Sequence, residues 1–66
     1  MQIFLNGEAH NLPEHSSVAD LIEQLGLSGQ RLAIELNGDI APRSQHATLE
    51  LKDGDKVEIV RAIGGG

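Results

Sequence analysis

Ser17-Val18-Ala19-Asp20-Leu21-Ile22-Glu23-Gln24-Leu25-Gly26 is the stretch on which the reading of the fold turns. Ser17 is an N-cap residue, and Asp20 stands at the third helical position, where a carboxylate can reach back to the cap. Val18, Leu21, Ile22 and Leu25 recur at i, i+3, i+4 and i+7, which is one face of an α-helix. Gly26 falls where a left-handed residue ends a helix without steric cost. The stretch predicts an amphipathic helix of about two to three turns, laid on an apolar surface that the rest of the chain must supply.

Strands on either side can supply it. Met1 to Leu5 alternates, with Ile3 and Leu5 on one face and Gln2 and Phe4 on the other. Asn6-Gly7 tolerates the positive φ angles of a tight hairpin, and Glu8 to Leu12 is the return strand, ended by Pro13. Beyond the helix, Leu27 to Gln30 is a connector. Leu32, Ile34 and Leu36 then alternate with Ala33 and Glu35 as a half-buried strand does. Asn37-Gly38 is a second hairpin pair, followed by a short returning segment at Ile40-Ala41. Arg43 to His46 reads as a loop or a turn of 3₁₀ helix, and Leu49 with Leu51 as a short strand. Asp53-Gly54-Asp55 is the last turn, and Lys56 to Ile63 the last strand, with Val57 and Ile59 facing inward. A hairpin, one helix and further strands give a two-layer α+β architecture, a β-grasp, in which one main helix packs on one face of a mixed sheet. Residues 1–63 are expected to form this domain and 64–66 a glycine tail.

Composition narrows the function. A chain of 66 residues supports one small core, burying roughly 60% of the surface its unfolded form exposes. There is no cysteine, so disulfides, iron–sulfur clusters and a thiolate nucleophile are excluded, and a reducing compartment fits. Ten acids against five bases give a net charge of −5, which argues against a nucleic-acid backbone as partner. Phe4 is the only aromatic residue, so base stacking is out of reach as well. No basic segment leading into an apolar run opens the chain, and no apolar run approaches the about 18 residues of a membrane span. A soluble, cytoplasmic protein is expected, with no membrane partner and no bound cofactor, monomeric when free.

Gly64-Gly65-Gly66 follows Ile63 with no polar spacer. Glycines offer no side-chain contacts and are costly to order, so mobility in solution is expected. Without Cβ atoms such a segment can thread a narrow cleft, and it presents an α-carboxylate on a slim tether.

These residues resemble the ubiquitin-like sulfur carriers, most closely the ThiS family of bacterial thiamine biosynthesis. Asn37-Gly38-Asp39-Ile40-Ala41-Pro42-Arg43 resembles that family's N-G-x-[IV]-x-P-R stretch. Asp53-Gly54-Asp55-Lys56-Val57-Glu58-Ile59-Val60, with the terminal Gly65-Gly66, resembles its closing segment and diglycine, and the likeness covers nearly the whole chain. The resemblance implies a carrier rather than an enzyme. The Gly66 carboxylate would be adenylated by an E1-like enzyme (ThiF type) using ATP and magnesium. A sulfur donor enzyme would convert the adenylate to a thiocarboxylate, and a thiazole synthase (ThiG type) would receive the sulfur. Gly64, Gly65 and Gly66 would enter the partners' active sites. The small subunit of molybdopterin synthase shares this tail chemistry but is usually longer. A modifier joined through Gly66 to protein lysines, and an interaction module in which the glycines are idle, are the other readings.

The strand phases place Phe4, Ala33 and Val60 on the open face of the sheet, as an apolar docking patch for the adenylating enzyme. His10, His15 and His46 lack metal-ligand spacing and read as surface histidines, and no metal site is expected. Asp53 and Asp55 are explained by turn chemistry. Arg43 is either a surface charge or a contact particular to the family, and the sequence leaves both open.

Overall fold

The reciprocal cap read at Ser17 is formed. In the computed structural model, which describes residues 1–61, the Asp20 N–H donates to Ser17 Oγ at 3.1 Å, and the Ser17 N–H donates to the Asp20 carboxylate at 2.9 Å. Helix α1, Val18–Gln24, follows, with Leu25 as its C-cap and Gly26 at φ +72°. Two further N–H groups of its first turn are taken up by the loop after residue 45: Val18 bonds the Leu49 carbonyl and Ala19 that of His46, both at 2.9 Å. Nearly every donor that a helix start leaves over is therefore satisfied within the chain.

The strands are β1 (Gln2–Leu5), β2 (Glu8–Asn11), β3 (Leu32–Leu36), β4 (Asp39–Ile40) and β5 (Lys56–Arg61), in the sheet order β2-β1-β5-β3-β4. The β1–β5 pair is parallel and the others are antiparallel. Both Asn-Gly pairs have positive φ at both residues, 49° and 84° at Asn6-Gly7 and 52° and 87° at Asn37-Gly38. These are the angles of two-residue turns whose twist matches that of the strands. Ile3, Ile34 and Val57, one from each of the three central strands, meet Val18 and Leu21 of α1, and none is more than 1% exposed. Each such side chain contributes roughly 1.5–3 kcal/mol by leaving water. One helix across a mixed five-stranded sheet is the expected β-grasp.

Two expectations change. Leu49 and Leu51 form no strand; the segment makes one bridge, Ser17 to Glu50, flanked by Leu51 N–H to the Ser16 carbonyl at 2.8 Å. The partner segment turns into α1 at Ser17, so a second rung has nothing to pair with. Among the histidines, His10 and His46 are half-buried, and each holds a neighbouring element. His10 Nε2 lies 2.7 Å from Gln24 Oε1 of α1, and His46 Nε2 donates to the Ala41 carbonyl at 2.8 Å. Arg43–Gln45 is a 3₁₀ turn, as one of the two readings had it.

Candidate functional site

β5 is the strand that runs on toward the glycines, and the sheet grips it from both sides. Toward β3 it pairs over all but its first residue, from Leu36–Val57 to Leu32–Arg61. Toward β1 it pairs only at Phe4–Lys56 and Leu5–Val57, because the chain turns away at Asn6-Gly7. There the Asn6 side chain takes over. The Ile59 N–H donates to Asn6 Oδ1 at 2.9 Å, and Asn6 Nδ2 donates to the Ile59 carbonyl at 3.3 Å. Asn37 does the corresponding work at the start of the strand, accepting from the Lys56 N–H at 2.9 Å and donating to Asp55 Oδ1 at 3.0 Å. Each Asn-Gly turn thus contributes a carboxamide that fixes β5. Gly64, Gly65 and Gly66, together with Ala62 and Ile63, lie outside the described residues.

On the face of the sheet away from α1 stand Phe4, Ala33 and Val60, with Phe4 39% and Val60 62% exposed. Ala33 and Val60 are cross-strand partners. Phe4 is not beside them: it sits next to Lys56, four residues back along β5, or about 13 Å at strand rise. Between the two apolar points lies the Glu35–Glu58 pair, two carboxylates directly opposite each other on neighbouring strands. Ile40, 68% exposed, is the other neighbour of Glu35. The open face is therefore two apolar areas divided by an acidic rung, rather than one patch.

The turn carboxylates are used internally. Asp53 accepts from the Gln2 N–H at 2.8 Å and Asp55 from the Lys52 N–H at 2.7 Å. Among the described residues no cluster of three or more potential metal ligands occurs, and no helix is long and apolar enough to cross a membrane. Asn6, Asn37 and Ile40 are what the sequence reading passed over. The Asn-Gly pairs announce turns, but the backbone that the Asn6 carboxamide reaches is 53 residues away.

The comparisons with known proteins agree with this geometry. The ThiS family profile matches residues 3–66. The sulfur carrier protein ThiS of Escherichia coli is 35% identical over 66 residues, covering the whole of both chains. The crystal structure of the thiamine biosynthesis protein ThiS from Geobacter metallireducens superposes with a TM-score of 0.85 at 30% identity, again over the whole of both chains. A thiazole synthase of Paramagnetospirillum magneticum is 41% identical over all 66 residues, which make up 20% of that protein. The chain thus spans a fifth of the length of this much longer relative. With a matching profile, a full-length relative and the same architecture, this chain belongs to the ThiS family.

Proposed function

We propose that this chain is a sulfur carrier of thiamine biosynthesis, and that the carboxylate of Gly66 carries the sulfur. The observation that supports this most is the end-to-end alignment with the E. coli sulfur carrier, with no residue of either chain left over. A carboxylate is a poor electrophile because its charge is shared by both oxygens. An E1-like enzyme corrects this with ATP and magnesium: a Gly66 oxygen attacks the α-phosphorus, pyrophosphate leaves, and an acyl-adenylate forms. A sulfur donor enzyme attacks the activated carbonyl through a persulfide, and AMP departs. A second thiol then cleaves the S–S bond of the acyl disulfide, forming a disulfide itself and releasing the Gly66 thiocarboxylate. The glycines of the tail pass through the narrow channels this requires, since they carry no Cβ. The chain itself supplies no catalytic side chain, and stabilisation of charge at the phosphates falls to the activating enzyme. The receiving enzyme is a thiazole synthase, a partner suggested by relatives in which a carrier-like segment is part of a protein of that name. The setting is the cytoplasm, where ATP and a reducing sulfur pool coexist.

Intact-mass spectrometry tests the reading. Incubation with the adenylating enzyme, ATP, magnesium and the sulfur donor should add about 16 mass units, in a form that thioacid-specific reagents consume and Met1 oxidation does not mimic. A chain lacking Gly66 should gain nothing while unfolding at the same urea concentration. Sulfur loading of that truncated chain would refute the mechanism.

A further inference from the structure

The face carrying α1 has a groove of about 480 Å³, bounded by α1, the connector before β3 and the 3₁₀ turn. Its apolar lining is half-buried Leu32, three alanines (Ala19, Ala33 and Ala47) and the edge of the buried Ile22. Two arginines line it as well, Arg31 from the connector and Arg43 from the turn. Two of the chain's five basic residues thus converge on one groove of a protein with net charge −5, against one acid there, Glu23. Neither arginine takes part in an ion pair among the described residues. The wall that carries Arg43 is fixed: His46 donates to the Ala41 carbonyl, and its own carbonyl accepts from Ala19 of α1. Leu32 is also the cross-strand partner of Arg61, so the groove opens at the end of the sheet where the chain runs on toward the glycines.

We propose that this groove seats an acidic, partly apolar segment of the thiazole synthase. The charge selects an acidic occupant, because guanidinium groups on two walls match carboxylates in geometry and sign. The accessible Leu32 and Ala47 beside the arginines select a protein segment over a free anion, which would make no use of them. The position places that partner where the chain runs on toward the tail, and relatives in which a carrier-like segment is part of a thiazole synthase single out that enzyme. The choice of thiazole synthase rests on the carrier function proposed above.

Calorimetric titration of the full chain with the thiazole synthase of the same organism tests this. It would compare the unsubstituted chain with Arg31→Glu, Arg43→Glu and Arg43→Lys, each first shown to melt normally. Binding by the unsubstituted chain should weaken with salt, each charge reversal should cost about tenfold or more, and Arg43→Lys should keep most of the affinity. Amide shifts on binding should move at residues 22, 30–33 and 43–47. Gly66 adenylation should be unchanged in all three variants. Undiminished binding by both charge-reversal variants would overturn the groove. Loss of adenylation alone would reassign it to the other enzyme and overturn the occupant named here. No binding by the unsubstituted chain would overturn the proposal together with the partner assignment, while leaving sulfur carriage by Gly66 to its own mass-spectrometric test.

Discussion

Asn6 holds Ile59 by both of its backbone polar groups, accepting from the N–H at 2.9 Å and donating to the carbonyl at 3.3 Å. A side chain here stands in for the strand that β1 would have continued. The contact also fixes the part of β5 nearest the tail, so what looks like turn chemistry in sequence is anchorage in structure.

Replacing Asn6 by Gly separates the two roles. Glycine adopts the φ of +49° freely, so the turn survives and only the carboxamide is lost. Stability should fall by about 1–3 kcal/mol, the net worth of two such hydrogen bonds. Urea unfolding gives the size, and hydrogen exchange should accelerate first at the Ile59 amide. Unchanged Ile59 protection would mean that β3 alone secures the strand.

Ser17→Ala removes the accepting half of the reciprocal cap on α1. The helix is only seven residues long, so it has little cooperativity of its own to fall back on. A loss of about 1 kcal/mol is expected, read from the urea midpoint. Ser17→Asp should recover most of it.

The Glu35–Glu58 rung should cost the fold stability, because like charges face each other across adjacent strands. Glu58→Gln is expected to stabilise by about 0.2–1 kcal/mol, with the gain shrinking as salt is added. Thermal melts at low and high ionic strength measure it. A gain that ignored salt would point to packing rather than repulsion.

Much of this architecture is legible in the chain because its signals are local. The cap, the helical face and both Asn-Gly turns each lie within a ten-residue window, and each side chain does there what its neighbours demand. What escaped depends on distance in sequence. Leu49 and Leu51 look like a strand, yet pairing stops at one bridge because the partner segment becomes helix at Ser17. Likewise the phases of Phe4, Ala33 and Val60 follow from alternation, whereas their spacing depends on the register of β5 against two neighbours. Composition also shows that arginines exist, but not that Arg31 and Arg43, twelve positions apart, line one groove.

That register sharpens the expectation for the open face. Val60 and Ala33 form one apolar point, and Phe4 lies on the far side of the acidic rung. If the adenylating enzyme centres on the end of β5 nearest the tail, Val60→Glu should weaken that complex by about 1–3 kcal/mol, and Phe4→Ala by clearly less. Val60 is 62% exposed, so its replacement leaves the core untouched and the circular dichroism spectrum native. Calorimetric binding and ATP–pyrophosphate exchange read the two effects independently. Equal losses from both variants would mean that the enzyme spans the acidic rung and contacts both apolar points. Full affinity and full exchange in a well-folded Val60→Glu chain would remove this face from the binding surface, since a carboxylate at the centre of an apolar contact cannot be accommodated without desolvating it unpaired.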